Sequence, residues 1–182
     1  MSINLKNLNI VFIGFMGTGK STISSYIAKS LNRKVIETDK YITDKINMDI
    51  PSIFDEFGEK YFRDLESEAI FEISKNKGII ISCGGGSVIR DKNVSFLKKN
   101  GIIIRLIATP DTILNRVKDS NERPILNGHM NTDFISSLMR DREIFYSKAA
   151  DISIYTDNKT VEEISKECIE KATYFINKIH KK

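Results

Sequence analysis

A chain of 182 residues with 41% hydrophobic positions has one domain's length and enough apolar side chain for a sizeable core. It contains no run of about 18 apolar residues, and residues 1–9 are too polar for a signal sequence, so a cytoplasmic protein without a membrane span is expected. The net charge of +4 comes from scattered lysines, which does not point to nucleic acid; small anionic substrates fit at least as well. Cys83 and Cys168 are too far apart in sequence to suggest a disulfide framework or metal spacing, and both are expected to be reduced.

In chain order, the first predicted strand is the apolar run at 10–13, followed by GFMGTGKS at 14–21 and a helix over 21–31. This strand, loop and helix fit the phosphate-binding pattern G-x-x-x-x-G-K-[ST] in the context that pattern requires. Gly14, Gly17 and Gly19 let backbone N–H groups turn toward phosphate oxygens at a helix N-terminus. Lys20 is then expected to reach the β- and γ-phosphates, and the Ser21 hydroxyl to ligate Mg²⁺.

A second strand at 34–36 runs into Glu37, Thr38 and Asp39. Acids just past a strand's carboxyl end face the crevice where ligands bind in open parallel sheets. Asp39 there can orient or deprotonate a hydroxyl nucleophile, and Glu37 can hold a water of the Mg²⁺ shell. The competing reading is that Asp39 caps the next helix. The segment at 58–66 opens a helix over 60–75, on which Arg63 and Glu66 are three apart and share a face. They form either an exposed ion pair worth a few tenths of a kcal/mol or an oriented guanidinium able to grip a carboxylate.

The third strand, 79–82, ends at Cys83 and three successive glycines, Gly84, Gly85 and Gly86. These leave bare backbone beside the same crevice, while Cys83 is expected to pack as a small hydrophobe. A helix over 91–99, with Gly101 as its expected terminator, leads to a strand at 102–107 and a helix over 111–118. The polar stretch 118–131 reads as a mobile loop, framed by Arg116 and Arg123. A loop carrying Arg123 can close over a transferring phosphoryl group. Arg142 and Tyr146 lie on the next helix, 132–149, before a strand at 152–155 and a last helix over 160–178 that Thr160 starts. Nearly continuous Ile and Val in these strands predicts an α/β fold: three layers, α/β/α, around a five-stranded parallel sheet.

Arginine is scarce here, eight residues among 28 cations, so each position invites a search for a bidentate partner. Together the motifs resemble shikimate kinase, a small P-loop kinase of the nucleoside-monophosphate-kinase structural family, from Asn9 to about Ile164. The resemblance implies a single P-loop kinase domain over 1–182, with a substrate-binding region at about 38–66 and a lid at about 118–131. It implies transfer of the ATP γ-phosphoryl group to the 3-hydroxyl of shikimate, with Mg²⁺ as cofactor, shikimate and ATP as partners, and a monomer as the simplest assembly. Lys20, Asp39 and Arg123 would be catalytic. ATP would contact Gly14, Gly17, Thr18, Gly19, Lys20, Ser21, Thr22, Arg123, Arg116 stacking on adenine, and Val161 in the loop on the base's other side. Asp39, Gly84, Gly85, Gly86, Arg63 and Arg142 would surround shikimate, with Glu66 orienting Arg63 and Phe54 and Phe62 as apolar wall. Ser21 and Glu37 would serve the metal. The chain departs from the family's usual Asp-x-Asp at Glu37, and Val161 stands where a proline is often found. Another small-metabolite kinase, such as a gluconate kinase, and a nucleotide-dependent switch without an acceptor are the rival readings.

Overall fold

Five short stretches rich in Ile gain by leaving water, and pairing them side by side under helices buries most of both faces at once. In the computed structural model, which describes residues 5–117 and 131–179, they form one parallel sheet in the order β2-β3-β1-β4-β5. The strands are β1 (Asn9–Ile13), β2 (Val35–Glu37), β3 (Ile80–Ser82), β4 (Gly101–Ile107) and β5 (Ile152–Tyr155). The helices are α1 (Lys20–Leu31), α2 (Thr38–Ile46), α3 (Ile50–Ser74), α4 (Asp91–Lys99), α5 (Pro110–Val117), α6 (Thr132–Ala149) and α7 (Val161–Ile179). All five strands and six of the helices thus stand where the sequence places them.

Side chains alternate across each strand, and the core divides accordingly. Ile10, Phe12, Ile80, Ile102 and Ile104 pack with Ile23 and Ile27 of α1 and with Ile164, Cys168 and Ala172 of α7. Val11, Ile13, Ile81 and Ile103 pack on the other face with Ile42 of α2, Ile53 and Ile70 of α3, Leu97 of α4, Ile113 of α5 and Ile135 of α6. Phe12, Ile80, Ile81 and Ile103 are completely buried, each worth about 1.5–3 kcal/mol against exposure. Among the described residues no helix is long and apolar enough to cross a membrane.

Three local expectations change. The sequence reading has no helix between 37 and 60, yet α2 and the first part of α3 lie there. Asp49 caps α3 by accepting from the Ser52 N–H at 2.7 Å, with Pro51 in the first turn. Gly58, at φ 79° and ψ 170°, interrupts α3, so a second helical stretch does begin where expected. Asp39 does not cap α2: Glu37 occupies the cap position without a side-chain bond, and Asp39 sits in the first turn. Gly101 does not terminate α4, which ends at Lys99; it starts β4. Its need for glycine is close approach, because a Cβ there would lie 2.8 Å from the Leu97 carbonyl oxygen and 3.1 Å from Cγ2 of Val11. Thr160 does start α7, through a reciprocal box in which its hydroxyl accepts from the Glu163 N–H and the Glu163 carboxylate accepts from the Thr160 N–H.

Overpacking at the α4–β4 junction yields a stability prediction. Gly101→Ala is expected to cost about 1–3 kcal/mol, read as a lower urea midpoint at unchanged slope; an unmoved midpoint would show that the junction yields without strain.

Candidate active site

The strand order sets the site. The carboxyl ends of β2, β3 and β1 lie side by side, so the segments after them, residues 38–39, 83–86 and 14–19, border one crevice. In the loop after β1, Gly14, Gly17 and Gly19 all take positive φ, at 142°, 75° and 95°. Cβ atoms at Gly14 and Gly17 would strike the Leu106 carbonyl and the Val117 side chain. The Thr18 hydroxyl donates to the Phe15 carbonyl at 2.8 Å and is buried, pinning the turn. Lys20 donates to the Gly14 and Phe15 carbonyls at 2.9 and 3.0 Å, which holds its ammonium over the loop. Ser21 and Thr22 are exposed in the first turn of α1, whose Gly19 cap carries no side-chain bond.

The triple glycine draws the charged residues together. A Cβ on Gly84 would overlap the Asp39 carboxylate, one on Gly86 would overlap the Arg63 guanidinium, and one on Gly85 would sit 3.3 Å from Nη1 of Arg142. Side chains from α2, α3 and α6 therefore converge on one bare turn. The Gly84 N–H donates to the buried Thr38 hydroxyl at 2.8 Å, tying the turn to the residue beside Asp39. The Tyr146 hydroxyl donates to the Gly85 carbonyl at 2.6 Å, tying it to α6.

Arg63 and Glu66 are not an exposed ion pair. Nη1 of Arg63 donates to Oε2 of Glu66 at 3.0 Å, with the two side chains 13% and 1% exposed. The other carboxylate oxygen of Glu66 accepts from the Ser87 hydroxyl at 3.0 Å, and Arg63 reaches Glu59 at 3.2 Å along its remaining edge. Arg90 adds a brace by donating to the Arg63 carbonyl and to Asp64. Phe62 lies beneath the Arg63 guanidinium, 5.3 Å from ring centroid to Cζ, and stacks on Phe54 at 4.8 Å. Arg142 lies over Phe15. Burial pushes the Cys83 thiol well above its ordinary pKa and the Cys168 thiol up to about 12, so both are inert packing residues.

Glu37 ends β2 beside Ser82 of β3, and the strand alternation turns both toward the face covered by α1. Among the described residues no group of three or more His, Cys, Asp or Glu is arranged to hold a metal ion. Arg116 donates to the Gly17 carbonyl at 3.2 Å and to the Thr156 hydroxyl and carbonyl at 3.1 and 3.0 Å, linking the phosphate loop to the turn that leads through Asn158 to Val161. Arg123, with the loop over 118–130, lies outside the described residues. Ser87, Arg90 and Arg105 have no role in the sequence reading, and Thr38 enters it only as the neighbour of Glu37 and Asp39. Arg105 had a visible signal, a single charge inside the apolar run of β4.

Burial pushes the Glu66 carboxyl above its ordinary value of 4.5, against the opposing pull of Arg63 and Ser87. A carboxyl raised in the folded state stabilises below the unfolded value, and that contribution is lost as pH rises through the folded value. Relative to the parent, Glu66→Gln should therefore gain stability as pH rises from about 4 to about 7. Urea melts of both proteins across that range check it, and curves that stay parallel would remove Glu66 from the linkage.

The shikimate kinase family model matches residues 16–173. The chain is 40% identical over 161 residues to shikimate kinase of Caldanaerobacter subterraneus subsp. tengcongensis, covering 88% of this chain and 94% of the relative. It is 44% identical over 149 residues to shikimate kinase of Caldicellulosiruptor saccharolyticus, covering 82% and 86%. The solved shikimate kinase from Acinetobacter baumannii in complex with shikimate is similar at a TM-score of 0.86 and 27% identity, covering 92% of this chain and 94% of that one. With a phosphate loop beside a crevice lined by two guanidinium groups and an aspartate, the chain belongs to the shikimate kinase family of ATP-dependent kinases.

Proposed function

We propose that this kinase transfers the γ-phosphoryl group of ATP to the 3-hydroxyl of shikimate, giving shikimate 3-phosphate and ADP, a step in aromatic amino-acid biosynthesis. The observation that carries the reading is the convergence of Asp39, Arg63 and Arg142 on residues 84–86 beside the phosphate loop. A small ring bearing one carboxylate and several hydroxyls matches that set. Two planar forks hold the carboxylate, one aspartate faces a hydroxyl, and Phe54 and Phe62 supply the apolar wall. The buried Glu66 restrains Arg63, so the guanidinium is oriented before the substrate arrives.

As the P–O bond to the 3-oxygen forms, Asp39 accepts the hydroxyl proton, and the bond from the γ-phosphorus to the bridging oxygen breaks with its electron pair leaving on ADP. Lys20 neutralises the β- and γ-phosphate oxygens, the N–H groups of residues 14–19 line the phosphates, and Ser21 and Thr22 extend that contact along α1. Arg123 would add charge stabilisation from a lid over 118–131. Arg116 would stack on adenine, with Val161 on the other side of the base. The donors at the mouth of α1, the Ser21 hydroxyl and the Glu37 carboxylate, are hard oxygens that suit Mg²⁺ retaining most of its waters. Bound there, Mg²⁺ would supply charge neutralisation at the phosphates, and Glu37 reaches one methylene further than an aspartate would. A monomeric cytoplasmic enzyme, with no nucleic-acid or membrane partner, completes the proposal.

ADP release from ATP and Mg²⁺ is expected to be stimulated by shikimate and not by quinate, gluconate, nucleoside monophosphates or water alone. Stimulation by another acceptor would overturn the substrate, and none by any acceptor would favour a nucleotide switch. Asp39→Asn should keep ATP binding and lose about 10²–10⁴-fold in kcat; near-normal turnover would remove Asp39 from the catalytic role. Arg63→Ala should raise the KM for shikimate, and an unchanged value would refute the carboxylate assignment.

A further inference from the structure

One charge inside the β4 run has no part in the chemistry above. Arg105 is 8% exposed and is the register partner of Ile13, the last residue before the phosphate loop. The strand alternation points it at α6. There its Nη1 and Nη2 engage both carboxylate oxygens of Glu143, the first at 2.7 Å, and its Cζ lies 5.6 Å from the centroid of the Tyr146 ring. That fork holds the Glu143 carboxyl below its ordinary range.

Met139, Arg142, Glu143 and Tyr146 stand at spacings of three and four along α6, with Tyr146 buried and Glu143 half-exposed, so these four move as one if the helix turns about its axis. Two polar ties fix that rotation within one turn C-terminal to Arg142. Tyr146 donates to the Gly85 carbonyl, and Glu143 pairs with Arg105 of the sheet. The Arg142 guanidinium lies against the Tyr146 hydroxyl and over Phe15, at the Gly85 edge of the acceptor pocket. Glu143 also neutralises a nearly buried cation that shares Tyr146 with Arg142, which keeps a second unpaired positive charge away from that edge.

We propose that Arg105 and Glu143 are a positioning pair, their ion pair locking the rotation of α6 and so fixing the Arg142 guanidinium where it meets the acceptor's carboxylate. The inference rests on the reading of Arg142 as a carboxylate grip. Neither residue touches substrate, so the pair acts on acceptor affinity and not on the phosphoryl-transfer step.

The experiment measures KM for shikimate, KM for ATP and kcat in Glu143→Gln, Arg105→Met, the double variant Arg105→Met/Glu143→Leu, and Arg142→Ala. Glu143→Gln keeps the side chain's shape at a half-exposed position, and the double variant removes both charges together, so folded protein is expected in both cases. Each single variant should raise the shikimate KM about tenfold, with ATP KM and kcat near the parent's. The double variant should keep a shikimate KM raised about as much as in the singles, because the tie is lost in all three. A tie that only stabilises the fold would lower the melting temperature and leave both KM values alone, which overturns the proposal. A double variant with the parent's shikimate KM would show that the singles acted through an unpaired charge, and overturns it too. If Arg142→Ala itself leaves the shikimate KM unchanged, the failure belongs to the carboxylate assignment; if Arg142→Ala raises it and the pair variants do not, the failure belongs to the pair alone.

Discussion

A turn stripped of side chains at residues 84–86 is the constraint around which one side of the crevice is arranged. The Asp39 carboxylate and the Arg63 guanidinium occupy the space that Cβ atoms on Gly84 and Gly86 would fill, and the Arg142 guanidinium lies 3.3 Å from where a Cβ on Gly85 would stand. Such a convergence of charge stands only if every member is paired. Glu66 is buried with Arg63 on one oxygen and Ser87 on the other, while Thr38 and Tyr146 satisfy the turn's own backbone. Removing one partner of a buried pair costs about 3–5 kcal/mol because the other is left uncompensated. The pocket and the local fold are therefore one network, and the groups that line the glycine turn also tie α2, α3 and α6 to the end of the sheet.

Topology brings the donor side to meet it. Because β3 lies between β2 and β1, Asp39, the glycine turn and the phosphate loop follow neighbouring strand ends, each about 4.8 Å from the next. Any doubly covered parallel sheet with this order places its ligands at that edge. The chemistry then depends on which side chains the loops carry there. Arg116 continues the same logic sideways, since one guanidinium joins the phosphate loop to the segment after β5 and fixes the separation of the two.

The sequence made some of this plain for physical reasons. Runs such as those of β1 and β4 have no helical periodicity and no polar face, so their strand character was legible without tertiary information. The phosphate loop is legible because its glycines, lysine and serine serve local geometry. The helix at 38–46 escaped because it is short and carries Thr and Ile at positions that lower helix propensity, and its stability comes from burying Ile42 against α3. Spacing alone placed Arg63 and Glu66 on one face but left open whether that face was wet. Burial of Glu66, which decides the matter, depends on Ser87, 21 residues away. The partner of Arg105 lies 38 residues further on, beyond any local pattern.

The division of labour between the two cations follows from the same physics. Lysines 40, 45, 98, 148, 159 and 171 form ion pairs whose side chains are largely half-exposed or exposed, where a flexible, strongly hydrated ammonium costs little and contributes little. Four of the arginines sit outside the sheet where two or three acceptors are met by one planar group. Arg33 clasps the carbonyls of Leu5 and Leu8, Arg63 spans Glu59 and Glu66, Arg90 spans Asp64 and a helix carbonyl, and Arg116 spans the phosphate loop and Thr156. A lysine ammonium has donors but no rigid planar fork, so it can replace the charge at these sites but not the angle between two elements. In a chain so rich in lysine, each of these four arginines therefore marks a place where the fold needs geometry as well as charge, and Arg63 and Arg116 bring that geometry to the crevice beside the glycine turn and the phosphate loop.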